Sequence, residues 1–103
     1  MMSFIRKLFG APKADIGALI NAGATIVDVR TAKEYAMGNL HESRNIPLDS
    51  LAANLGTISR DKPVITCCAS GVRSGIARKL LISKGYPEVY NGGSWVSLKK
   101  YRK

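Results

Sequence analysis

A chain of 103 residues with 46% apolar and 22% charged side chains is long enough to bury one core and too short for two. That balance argues against disorder, and no stretch approaches the ~20 apolar residues of a membrane span. Arg6 and Lys7 interrupt the apolar N-terminal run, so no secretory signal is expected. The formal net charge of +9 comes from basic residues scattered along the chain, with one cluster over residues 99–103. A nucleic-acid binder shows a basic stripe with interleaved aromatics or a known module. Neither is present, so no nucleic-acid partner is expected. A positive field does raise the local concentration of anionic small molecules. The two cysteines are adjacent at 67 and 68, which argues against a disulfide framework and for a reactive thiol in the cytoplasm.

At about 100° per residue, Met1, Met2, Phe4, Ile5, Leu8 and Phe9 fall on one arc, opposite Arg6 and Lys7. Residues 1–12 are therefore an amphipathic N-terminal segment. They can serve as a foot for a membrane surface or a protein partner, or as a terminus that frays or packs on its own domain. The second reading is preferred, because so short a helix binds membranes weakly. The domain is expected over residues 13–98, with a basic C-terminal tail at 99–103. Asp15 can cap a helix carrying Ile16, Ala18, Leu19 and Ile20 that ends at Gly23. Residues 25–29, Thr-Ile-Val-Asp-Val, read as a strand buried on both faces, the pattern of a parallel sheet.

Thr31 and Glu34 form a capping box, and the short helix they start stops at Gly38. Arg44, Asn45 and Ile46 are a brief extended segment ended by Pro47. Asp49 and Ser50 then start a further helix with Leu51 and Leu55. Val64, Ile65 and Thr66 are β-branched and follow Pro63, a buried strand. A helix from Ser74 carries apolar residues at helical spacing until Gly85 and Pro87 stop it. Glu88, Val89 and Tyr90 make a last short strand. Asn91, Gly92 and Gly93 turn the chain into a closing helix with Trp95 and Leu98. Strand and helix alternate throughout, so the class is α/β with a mainly parallel sheet.

The chemistry concentrates at Cys67-Cys68-Ala69-Ser70-Gly71-Val72-Arg73-Ser74. A cysteine stands where a parallel strand ends, a small-residue loop follows, and a helix begins. Loop amides and a helix N-terminus make an anion site. Positive potential there, with Arg73 close by, favours thiolate over thiol.

Asp28-Val29-Arg30, Glu34-Tyr35, Gly38, Asn45-Ile46-Pro47-Leu48, the loop from Cys68 to Ser74, Gly85-Tyr86 and Gly92-Gly93 with Trp95 together resemble a single-domain rhodanese. The resemblance runs over about residues 15 to 95 and rests on the order and spacing of these motifs. It implies a rhodanese-like α/β fold, a sheet of four to five strands with helices on both faces. It also implies sulfurtransferase activity through a persulfide on Cys68. The chain departs from the family pattern in two turns. Gly38-Asn39 stands where Gly-His is usual, and Glu42-Ser43 where Gly-Ala is common. The N-terminal strand common in the family has no counterpart before Asp15.

Two registers compete at the loop. From Cys68 the motif is Cys-x-x-Gly-x-Arg-Ser, with four residues between Cys and Arg, as in sulfurtransferases. From Cys67 five residues intervene, the spacing of the cysteine phosphatases with which the rhodanese fold is shared. The glycine usual three residues after a phosphatase nucleophile is Gly71 counted from Cys68, but Ser70 occupies that place counted from Cys67. The usual preceding histidine is replaced by Thr66. Cys68 is therefore the expected nucleophile. Its thiolate would attack an anionic donor such as thiosulfate, and a thiol or cyanide would then take the sulfur. Amides of Ala69, Ser70, Gly71, Val72 and Arg73 would hold the donor's charge. Arg73 either binds a sulfonate with its planar fork or ties the loop to its own carbonyls. Ser74 caps the helix or donates to the sulfur, capping being the commoner role.

Cys67 points away from Cys68 by strand alternation and reads as a small core residue, with a redox role as the lesser option. Asp28, Arg30 and Glu34 are read as structural and His41 as exposed. No cofactor or metal is called for. A low-turnover persulfide-carrying binding module is the alternative outside enzymology. For residues 1–12, liposome flotation of the full chain and of a chain beginning at Ala11 is expected to give the same partition.

Overall fold

The structure, a computed structural model, describes residues 15–102. The amphipathic segment read over residues 1–12 lies outside them. At the centre is β3 (Val64–Cys68), all five residues of which are buried. It is flanked by β1 (Thr25–Asp28) on one side and β4 (Val89–Ser94) on the other, with β2 (Arg44–Asn45) beyond β1. All three pairings are parallel. A parallel strand covered on both faces needs apolar side chains in both directions, and β3 supplies them in alternation. Val64 and Cys68 join one core cluster with Val27, Val29, Leu51, Ala77 and Leu81. Ile65 and Cys67 join the other with Ile20, Ile26 and Leu98.

Helices α1 (Ile16–Asn21), α2 (Ala32–Ala36) and α3 (Val72–Ser83) complete the regular elements. Asp15 caps α1 by accepting from the Ala18 amide. The Thr31–Glu34 capping box closes in both directions at the start of α2. α3 covers one face of the sheet through Ala77 and Leu81, while Ile20 of α1 and Leu98 cover the other. Among the described residues no helix is long and apolar enough to cross a membrane.

Four expectations give way to the structure. The helix expected after Asp49 and Ser50 is a pair of 3-10 segments, Leu48–Ser50 and Ala52–Thr57, with Asn54 out of helical geometry at φ −118°. Side-chain bonds to the backbone, Asn54 to the Ser50 carbonyl and Thr57 to the Asn54 carbonyl, compete there with an α ladder. The helix expected from Ser74 begins at Val72, two residues earlier. Asn91, Gly92 and Gly93 belong to β4, where Asn91 pairs with Thr66 and the two glycines form an irregularity in the pairing with β3. A Cβ on Gly92 would lie 2.8 Å from an Ile65 methyl and 3.0 Å from the Thr66 carbonyl, so the glycine marks close backbone approach, not a turn. The closing segment Trp95–Tyr101 is 3-10, capped by Ser94. It takes in Lys99 and Lys100, and the Tyr101 ring lies against Gly17.

One buried cation ties these pieces together. The Asp28 and Arg30 side chains are 0% and 5% exposed, and Arg30 Nη2 meets Asp28 Oδ2 at 2.7 Å while Nε reaches both carboxylate oxygens at 3.0 Å. Arg30 also donates to the carbonyls of Gly38 at 2.8 Å and Glu34 at 3.3 Å. Its guanidinium stacks 4.7 Å from the Trp95 ring centre. Hydrogen bonding to Asp28, working against burial, raises its pKa. Removing one partner of such a pair leaves the other charge buried and alone, a cost of about 3–5 kcal/mol. Arg30→Ala is expected to lose stability in that range, measured by urea unfolding.

Candidate active site

The loop after β3 wraps around a single sulfur atom. At Gly71 the backbone takes φ 103°, a left-handed conformation that side chains with a Cβ resist. That turn aims the Gly71 amide at Cys68 Sγ, 3.0 Å away. The Ser74 amide, in the first turn of α3, approaches the same sulfur at 3.4 Å, and the Ser74 hydroxyl stands 3.4 Å from it. Burial opposes ionisation of Cys68. Hydrogen bonds from the Ser74 hydroxyl and the amides of Ser74, Gly71 and Ser70 outweigh it, so the pKa lies below that of a free thiol. The thiolate is favoured by backbone amides already in place, the condition for a nucleophile near neutral pH.

The hydrogen bonds that reach the sulfur come from the amides of Gly71 and Ser74, with Ser70 adding to them. Cys68 itself is 0% exposed, since the left-handed turn at Gly71 carries the loop back over the sulfur. Ala69 and Ser70 are exposed above it. Ser74 lies inside α3 and does not cap it. The residue in the N-cap place is Gly71, with no side chain to contribute.

Arg73, expected to bind a sulfonate or to tie the loop to its own carbonyls, is engaged by an acidic side chain of α2. Its guanidinium makes a two-point pair with the Glu34 carboxylate, Nη1–Oε1 at 2.7 Å and Nη2–Oε2 at 3.0 Å. Glu34 Oε1 accepts the Thr31 amide as well, at 3.0 Å. The same carboxylate therefore closes the α2 capping box and anchors the nucleophile loop. The Arg73 bond, then the Thr31 amide, hold the Glu34 carboxyl down at about 2 against an ordinary 4.5.

A second residue escaped sequence reasoning altogether. Asn91, in β4, accepts the Ser74 hydroxyl at 2.7 Å and donates from Nδ2 to the Gly71 carbonyl at 3.1 Å. Its sequence signal, Asn-Gly-Gly, was that of a turn. Cys67 faces the other layer among Ile26, Ile65 and Leu98. Burial, reinforced by the Asp28 charge, pushes its thiol up to about 12. His41 is exposed, in a turn.

Beside the cradle opens a cavity of about 260 Å³ lined by Val29, Thr31, Pro47, Leu48, Asp49 and Arg73. The C-terminal ends of parallel strands in an open α/β sheet are where ligands bind. The Rhodanese-like domain family model matches residues 13–99. The chain belongs to the rhodanese-like family. It is 41% identical over 68 residues to the uncharacterized protein YqhL of Bacillus subtilis, covering 66% of this chain and 54% of that one, so it spans about half the relative's length. It is 35% identical over 80 residues to the thiosulfate sulfurtransferase GlpE of Stutzerimonas stutzeri, covering 78% of this chain and 73% of that protein. Among solved structures, the rhodanese with anions from E. coli superposes with TM-score 0.68 at 28% identity, covering 72% of this chain and 89% of that chain.

The Glu34 carboxyl has a lower pKa folded than free, so its contribution to stability is complete above 4.5 and disappears as pH falls toward about 2. The difference in urea midpoint between the native chain and Glu34→Gln is expected to be constant above pH 4.5 and to shrink steadily as pH falls below it.

Proposed function

We propose that this rhodanese-like protein is a sulfurtransferase in which Cys68 carries the sulfur as a persulfide. The observation that carries the reading is the pair of backbone N–H donors, from Gly71 and Ser74, gathered on one cysteine sulfur at the end of β3, with the Ser74 hydroxyl beside them. The thiolate attacks the outer sulfur of a thiosulfate-like donor. A Cys68 S–S bond forms, the donor S–S bond breaks, and sulfite leaves with the electron pair. A thiolate acceptor or cyanide then attacks the outer sulfur, and Cys68 departs as thiolate. A cysteine with a lowered pKa suits both halves, because it is ionised to attack and stable when expelled.

The cavity beside the loop suits the organic part of a donor or acceptor. Val29, Pro47 and Leu48 give it an apolar floor, and Asp49 and Arg73 place opposite charges at its edge. Because Arg73 is engaged by Glu34, charge stabilisation at the reacting sulfur falls to backbone amides. This supports persulfide donors alongside thiosulfate. A free reactive thiol and a neutral partner cysteine fit a reducing compartment, which for this chain is the cytoplasm.

The phosphatase register finds no support at Cys67, whose thiol is buried in the opposite layer and pushed up to about 12. Intact mass spectrometry after exposure to thiosulfate is expected to show the addition of one sulfur atom. Cys68→Ser should abolish the addition and Cys67→Ser should retain it. Aryl phosphate turnover that vanishes in Cys67→Ser would overturn the assignment.

A further inference from the structure

Among the described residues, Ser74 supplies the hydroxyl that reaches the Cys68 sulfur, at 3.4 Å. A hydroxyl has one proton to give, and Asn91 determines where it goes. The Asn91 amide is oriented by two independent bonds. Nδ2 donates to the Gly71 carbonyl at 3.1 Å, and Oδ1 accepts the Gly93 amide at 2.9 Å. Oδ1 therefore faces Ser74 Oγ, 2.7 Å away, and an amide oxygen can only accept. The Ser74 proton is committed to Asn91, which leaves the Ser74 lone pairs for the Cys68 S–H. The chain Cys68 to Ser74 to Asn91 is thus satisfied when Cys68 is a neutral thiol.

Ionisation reverses the demand at the sulfur, which becomes an acceptor. The Ser74 hydroxyl must then leave Asn91 and turn to Cys68. We propose that Asn91 is a positioning residue for the nucleophile: by holding the Ser74 proton it favours the thiol and sets the pH at which Cys68 ionises. The proposal rests on Cys68 being the nucleophile of the reading above. The charged groups around this corner are two ion pairs and Asp49, which lines the neighbouring cavity with Arg73. Arg73 of α3 is paired with Glu34 of α2, and Asp28 at the end of β1 is paired with Arg30. Cys67, the neighbour along β3, stays neutral in the other layer. The device has a chemical use. A thiolate that is too easily formed is a weaker nucleophile, and Asn91 keeps the sulfur between ionised and reactive.

The test is a pH titration of thiolate absorbance in the ultraviolet, each protein read against its own Cys68→Ser version so that Cys67 cancels. Asn91→Ala and Asn91→Ser remove the competing acceptor and should lower the midpoint. Below the midpoint the thiolate-to-thiol ratio should rise roughly three- to tenfold, the worth of one hydrogen bond. Asn91→Asp, which holds the proton harder and adds a like charge, should raise it. In a Ser74→Ala background the Asn91→Ala and Asn91→Ser shifts should vanish and the Asn91→Asp shift should shrink. If Asn91 only props the loop, every substitution loosens the amides around the sulfur and every midpoint rises. That result, or no shift in the small variants, overturns the proposal. Should the small variants fail to fold, the near-isosteric Asn91→Asp decides it, since a shift unchanged by Ser74→Ala would exclude a route through the hydroxyl. No sulfur donor is used, so failure of thiosulfate to load Cys68 would overturn the sulfurtransferase reading and leave this measurement standing.

Discussion

A negatively charged sulfur held away from water must be surrounded by donors that are already aimed, because turning them at the moment of reaction would cost the stabilisation they supply. In this fold that requirement is met by the backbone. The left-handed turn at Gly71 directs its own amide at Cys68 and lets α3 start directly afterwards, so that the Ser74 amide arrives at the same atom. Neither contact depends on a flexible side chain. The rest of the domain serves to keep this turn in place. β3 delivers the cysteine, β4 lays Gly93 against Gly71 with 3.4 Å between the Gly93 Cα and the place a Gly71 Cβ would occupy, and α2 grips Arg73 from the other side.

The two acid–base pairs near the site differ in purpose because they differ in exposure. Asp28 and Arg30 are almost fully buried and join the end of β1 to α2, to the turn at Gly38 and to Trp95. An ion pair in that position specifies geometry more than it adds net stability, since desolvation offsets much of the attraction. Glu34 and Arg73 are each about one-third exposed; solvent screens them, and their value lies in the two-point geometry that fixes the loop to α2. Both arginines near the nucleophile are thus engaged by carboxylates. The overall charge of +9 acts at long range on arriving anions and is not concentrated at the sulfur.

Much of the architecture could be read from local patterns. Asp15 and the Thr31–Glu34 box announced the starts of α1 and α2, since a cap is a contact between residues three apart. The apolar run at Val64, Ile65 and Thr66 announced a strand covered on both faces. What misled were signals with two physical meanings. Asn-Gly-Gly is shared by tight turns and by strands pressed against a neighbour, and the packing of Gly92 beneath Ile65 selected the second. Asp49 and Ser50 looked like a helix start, but the side-chain bonds of Asn54 and Thr57 drew the segment into 3-10 geometry.

The sequence by itself determined the class of fold and the order of most of its elements, and it singled out the loop after Cys68, because each depends on residues close together in the chain. Only the tertiary structure decided the company that sulfur keeps. Glu34 lies 39 positions from Arg73 and Asn91 lies 17 from Ser74, and no periodicity links residues so separated. Those pairings exist because β1, β3 and β4 run parallel and bring their C-terminal ends to one edge of the sheet, where α2, the Cys68 loop and the Asn91 amide meet.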